Sequence, residues 1–166
     1  MFEVNWEQAA QTNLYIGAYH FFSFESPGNT QAQHFFETVK KKEKMLPPVV
    51  DVEFYGGYNE KNVDIETIRH ELNQFISSIK ENYGVNPIIY TTPEMYRCLI
   101  DVNYEDCLLW IRSILTYPII DRKWSFWQYT NREQLIGYDG NEKYIDMNVF
   151  SGNKQMLMMP GSKASI

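Results

Sequence analysis

Asp51 and Glu53 are the residues of this 166-residue chain whose types and spacing point most directly to chemistry. They sit in the run Val49-Val50-Asp51-Val52-Glu53-Phe54, which follows Pro47-Pro48 and reads as a buried strand with acids at its far end. Along a strand, residues i and i+2 share a face, so Asp51 and Glu53 point one way while Val50, Val52 and Phe54 point the other. Their Cα atoms are then about 7 Å apart, which lets the carboxyl groups approach closely. Two neighbouring carboxylates resist ionising together, so one of them keeps its proton to a higher pH. A protonated acid beside an ionised one suits glycosidic bond cleavage: one donates to the leaving oxygen, the other stabilises positive charge. The alternative is a strand end with two solvated acids, because Asp-x-Glu is a common tripeptide.

Other polar residues are placed less distinctively. In Tyr144-Ile145-Asp146-Met147-Asn148-Val149, alternation puts Tyr144, Asp146 and Asn148 on one face, which either lines a site or faces water. Aromatic residues make up 16% of the chain, with four Trp and twelve Tyr. Rings in that quantity suit sugar binding, and they equally suit a packed core. Cys98 and Cys107 form no disulfide framework and His20, His34 and His70 are scattered, so no metal site is expected.

Composition narrows the class of protein. Hydrophobic residues at 44% and charged residues at 22% are the balance of an ordinary globular domain. Net charge is −6 and the isoelectric point about 5.1, which leaves no cationic face for a nucleic-acid partner. The basic run Lys40-Lys41-Lys42 reads as a solvated helix end that complements the helix dipole. No apolar stretch has the length of a membrane span, and the opening Met-Phe-Glu-Val-Asn-Trp lacks the pattern of a secretory signal.

The elements that must position the acids alternate between strand and helix. Residues 14–22 read as a strand buried on both faces, followed by a turn at Ser26-Pro27-Gly28-Asn29 and a helix capped by Thr30. After the strand bearing the acids, residues 55–63 form a long loop with Gly56-Gly57. Asp64 then caps a helix striped by Ile65, Ile68, Leu72, Phe75, Ile76, Ile79 and Tyr83, and Gly84 stops it. Residues 87–91 make a short strand, and Thr92-Pro93-Glu94 opens a helix. Residues 108–111, 125–129 and 143–150 supply the remaining strands. Such alternation implies an α/β fold with a mainly parallel sheet, either open or closed into a barrel. Acids at a strand's C-terminal end lie where such folds place their sites.

Seven segments, in order and over nearly the whole chain, resemble the glycoside hydrolase family 25 muramidases, the Chalaropsis-type lysozymes. They are Phe2-Glu3-x-Asn5-Trp6, Gly17-Ala18-Tyr19-His20-Phe21-Phe22, Leu46-Pro47-Pro48-Val49-Val50-Asp51-Val52-Glu53, Pro87-Ile88-Ile89-Tyr90, Leu109-Trp110-Ile111, Phe126-Trp127-Gln128-Tyr129 and Tyr144-Ile145-Asp146-Met147-Asn148. The resemblance implies a (β/α) barrel of TIM-like type that hydrolyses the β-1,4 bond between N-acetylmuramic acid and N-acetylglucosamine in peptidoglycan. On that match Glu53 is the general acid/base, Asp51 steadies the substrate's N-acetyl group, and Asp146 is a further active-site acid. Tyr19 and Tyr90 match aromatic positions of the sugar groove, and Trp127 and Gln128 belong to a further substrate-binding motif. No metal or organic cofactor is implied, the partner is the peptidoglycan glycan strand, and the full-length form is expected outside the cell or in the wall.

Family members usually open with a strand bearing Asp-Val-Ser, a helix and a second strand before the region matched by Asn5-Trp6. The resemblance therefore implies an incomplete barrel here, without its opening strands and one active-site Asp. Residues 1–159 are expected to form this catalytic domain and residues 160–166 a disordered tail. A non-catalytic peptidoglycan-binding remnant is the alternative function, and chitin-like polymers are the alternative substrate.

Overall fold

Alternation along Val49-Val50-Asp51-Val52 gives a strand whose two faces have different work, and the rest of the sheet repeats the pattern. The computed structural model describes residues 1–114, 116–138, 140, 143–153 and 155. In chain order the elements are α1 (Phe2–Ala10), β1 (Tyr19–Phe21), α2 (Gly28–Thr38), β2 (Val49–Val52), α3 (Ile65–Tyr83) and β3 (Ile88–Thr91). Then come α4 (Pro93–Met95), which runs into a π-helical turn at Tyr96–Ile100, followed by β4 (Leu109–Arg112), β5 (Phe126–Glu133) and β6 (Ile145–Phe150). The expected tail, 160–166, lies outside the described residues.

The strands form one six-stranded sheet in sequential order, β1 to β6. β1 through β5 pair in parallel, and β6 returns antiparallel to β5. Helices join β1 to β2, β2 to β3 and β3 to β4, whereas no helix connects β4 to β5 among the described residues. The fold is thus mixed α/β with a mostly parallel sheet.

One sheet face is covered by helices. Phe22, Val50, Val52, Ile89, Leu109 and Ile111 meet Phe35, Ile68, Leu72, Phe75 and Ile79 in the main core. The other face carries a smaller apolar floor of Val49, Ile88 and Phe126, with Tyr90, Leu108, Trp110 and Phe150 packed against it. The side chains alternate between these two layers, so the acid in β2 faces away from the helices.

Local signals set the helices. The Asp64 side chain accepts from the Glu66 and Thr67 amides at the start of α3, and Gly84 ends it with φ of 77°. Thr92 caps α4 by accepting from the Met95 amide. Helix α2 begins at Gly28, two residues before the cap expected at Thr30, and Pro27 holds the N-cap position. The buried Gln31 side chain fixes that turn: it accepts from Ser23 N (2.8 Å) and donates to the carbonyls of Ser23 and Ser26. The lysine run does lie past the end of α2. Lys40 donates to Phe36 O, Lys41 to Asn82 O, and Lys42 pairs with Glu7 at 2.5 Å.

The first strand is shorter than expected. Of residues 14–22 only Tyr19–Phe21 join the ladder, with an isolated bridge from Ile16 to Met45. Tyr19 and Phe21 are exposed, because β1 is an edge strand whose cleft face no element covers; His20, on the other face, stacks on Phe75. Helix α1 has no counterpart among the expected elements. Its Trp6 is buried and donates from Nε1 to Lys40 O at 2.9 Å, tying the helix beneath the end of α2's connection.

Candidate active site

The uncovered sheet face is hollowed into a cleft of about 230 Å³ lined by Tyr19, Val49, Asp51, Tyr90, Trp110, Gln128, Asp146 and Asn148. Each comes from the alternate positions of its strand, so the site is assembled by pleat and register. Phe21 pairs with Asp51, Asp51 with Tyr90, Tyr90 with Trp110, and Gln128 with Asn148. Irregular register between Gln128 and Thr130, and again between Thr130 and Glu133, accompanies the stretch of β6 that carries Asp146.

Asp51 is half-buried, and its Oδ1 is a buried oxygen without a hydrogen-bond partner among the described residues. Burial, and then the charge of Glu53, push its carboxyl up to about 7, with the Arg112 guanidinium opposing. Glu53 follows β2 directly and lies outside the lining of this cleft. It lines a second depression with Phe54, Thr92, Pro93, Glu94, Arg97, Arg112 and Ile114. There Arg112 Nη1 stands 3.5 Å from Glu53 Oε2.

Tyr90 donates its hydroxyl to Gln128 Oε1 at 2.7 Å, and Gln128 is only 3% exposed. Burial, then the charge of Asp51, raises the Tyr90 phenol far above its ordinary range, so it stays a donor. Trp110 donates from Nε1 to Asn148 Oδ1 at 2.9 Å and packs edge-on to Tyr90, which makes an aromatic floor with a fixed tilt. The arrangement offers one acid able to hold a proton near neutral pH, one carboxylate set against a cation, and flat apolar surface beside polar groups. That combination fits acid–base chemistry on a sugar.

Of the residues singled out in the sequence, the cleft gathers Asp51, Asp146, Tyr19, Tyr90 and Gln128, with Glu53 just over its edge. Trp127 lies outside this lining. Alternation along β5 turns it to the opposite face, where it packs with Tyr117, Trp124 and Tyr129 and donates to Ser113 O at 2.9 Å. Trp110, within the motif Leu109-Trp110-Ile111 but given no role there, and Arg112, just beyond that motif, join the site; alternation from Trp110 to Arg112 was the signal available. Among the described residues no group of three or more His, Cys, Asp or Glu could hold a metal ion, and no helix is long and apolar enough to cross a membrane.

Residues 1–138 match the model of Glycosyl hydrolases family 25. The chain is 30% identical over 158 residues to the uncharacterized protein YegX of Escherichia coli strain K12, covering 94% of this chain and 55% of that protein. It is 27% identical over 169 residues to Lysozyme M1 of Streptomyces globisporus, covering 95% of this chain and 56% of that one. The chain thus spans about half the length of the curated relatives it matches. Among solved structures, a family 25 glycosyl hydrolase from Bacillus anthracis superposes with a TM-score of 0.85 at 48% identity, covering 93% of this chain and 72% of that chain.

Proposed function

The chain belongs to glycosyl hydrolase family 25, and from that premise we propose that it acts as a muramidase. Its substrate is the β-1,4 bond between N-acetylmuramic acid and N-acetylglucosamine in bacterial peptidoglycan, and its place of action is outside the cell or in the wall. The relative named Lysozyme M1 supports the substrate class. The single observation that carries the reading is a half-buried acid raised to about 7, facing an aromatic-floored cleft, with a second acid two residues on, just past the end of its strand.

In this reading Glu53 is the general acid/base. It protonates the glycosidic oxygen as the bond to the sugar breaks, then takes a proton from the water that completes hydrolysis. Asp51 holds the N–H of the substrate's acetamido group, so that the acetamido carbonyl oxygen can stabilise the developing positive charge at the anomeric carbon. Asp146 adds a further acid to the cleft, while Tyr19 and Trp110 offer ring faces and Tyr90 and Gln128 fix the groove wall. Carboxylates suffice for this reaction, so no cofactor enters the scheme. Residues 1–159 act as the catalytic domain, and the six-stranded sheet belongs to a (β/α) barrel of TIM-like type.

Glu53→Gln tests the central role. The variant should release reducing N-acetylmuramic ends from peptidoglycan at least about 100-fold more slowly while keeping its thermal midpoint. Full activity in the variant, or wild-type binding to peptidoglycan without any product, would overturn the proposal.

A further inference from the structure

Arg112 leaves β4 on the cleft side, in register with Gln128, and reaches the carboxylate pair from across the sheet. Its contact with Glu53 is loose, at 3.5 Å, and both side chains keep some solvent, 34% and 24% exposed. A pair of that kind is weak and opens readily. Other charged and titratable groups surround it. Asp51 faces it from β2 and Tyr90 from β3, with Asp146 of β6 acting on Tyr90, while Glu94 and Arg97 share the depression from α4 and the π-helical turn.

We propose that Arg112 is a positioning residue that decides which of the two acids holds their shared proton, pairing with Glu53 in the empty cleft and releasing it when a saccharide enters. The inference rests on the muramidase reading for its consequence, and on the Arg112–Glu53 geometry for its substance. With Arg112 against Glu53, the favoured place for the shared proton is Asp51, which lines the cleft and keeps Oδ1 buried without a partner among the described residues. A general acid must carry the proton itself. Opening of the ion pair lets the proton pass from an Asp51 oxygen to a Glu53 oxygen, directly or through one water. Asp51 is left ionised to accept from the acetamido N–H, and Glu53 is left ready to donate. No group is gained or lost; one proton changes oxygen.

The test compares wild type, Arg112→Gln and Arg112→Lys in the full chain. Carbon-13 carboxyl NMR of the unliganded protein follows the titration of Asp51, and the pH dependence of kcat/KM on peptidoglycan follows the shared proton in turnover. Arg112→Gln should raise by about one pH unit the midpoint at which Asp51 loses the shared proton, because an opposing cation has gone, with the Glu53 carboxyl signal now carrying part of the same step, and should carry the alkaline limb of kcat/KM the same way. Arg112→Lys should restore most of the midpoint, which a merely structural role for Arg112 would not do. An Asp51 midpoint that stays put in Arg112→Gln would overturn the inference, whatever the activity. A wild type that releases no reducing ends while the midpoint moves would overturn the muramidase reading and leave the role of Arg112 standing.

Discussion

Asp51 Oδ1 has no partner among the described residues, and a carboxyl so placed loses more by ionising than it does in water. In the unfolded chain it titrates as an ordinary aspartate, near 4, and in the folded chain at about 7. The folded state therefore binds the extra proton, and the group's contribution to stability is fully present below pH 4 and is lost as pH rises to 7. Undiluted, that gap is worth about 4 kcal/mol; for a side chain still touched by water, screening reduces it to roughly 2 kcal/mol. Asp51→Asn cannot ionise, so it should outlast the wild type by about 2 kcal/mol at pH 8 and match it at pH 4, as read from urea denaturation at the two values. At this scale the sequence was informative where alternation could be counted. Strand period indicated the face of Asp51; for Asp146 it left open a site or water, and Glu53 lies past the end of β2 in a second depression, where the period no longer governs. The same rule sends Trp127 away from Gln128, and there the family motif outweighed the period. The Arg112–Glu53 pair spans 59 positions of chain, and nothing local announces it.

Where elements meet, Gly28 sets the closest approach. A Cβ at this position would lie 1.8 Å from the Glu71 carbonyl oxygen and 3.1 Å from Phe75 N, so α2 crosses α3 backbone to backbone. The Gly28 amide also donates to Glu71 Oε2 at 2.7 Å. Gly28→Ala should push the helices apart and cost about 2–3 kcal/mol, seen as a lower urea midpoint with unchanged slope. In the sequence this glycine read as part of a turn, since a helix crossing leaves no mark in the local pattern. Helix α3 was legible from cap to stop because Asp64, its stripe and Gly84 agree at every level. Strand β1 was not, because apolar character at Tyr19 and Phe21 reads as burial, whereas these rings border an open cleft. Helix α1 escaped notice because only Trp6 of its nine residues is buried.

Taken as a whole, the molecule divides its sheet between two tasks. The helix side holds the main core, with Phe75 touching Phe22 and His20, while the cleft side trades apolar cover for a floor and a polar rim. Phe75→Ala should therefore cost about 3–5 kcal/mol, and Tyr90→Phe, which deletes only the hydroxyl that meets Gln128, about 1 kcal/mol; parallel urea titrations would show both. Strand and helix alternation announced the α/β class and the parallel start of the sheet. It was silent on the reversed last strand, since pairing direction has no signature in period-two patterning. That reversal has a consequence for how the rim is completed. Five strands run one way beneath the cleft, whereas β6 runs against them and contributes Asp146 as its second residue. Its placement depends on the ladder with β5 and hardly at all on how long the joining segment is. A slip of one residue along that ladder, however, would exchange the acid for Ile145 or Met147 and leave a greasy side chain where the rim needs a charge.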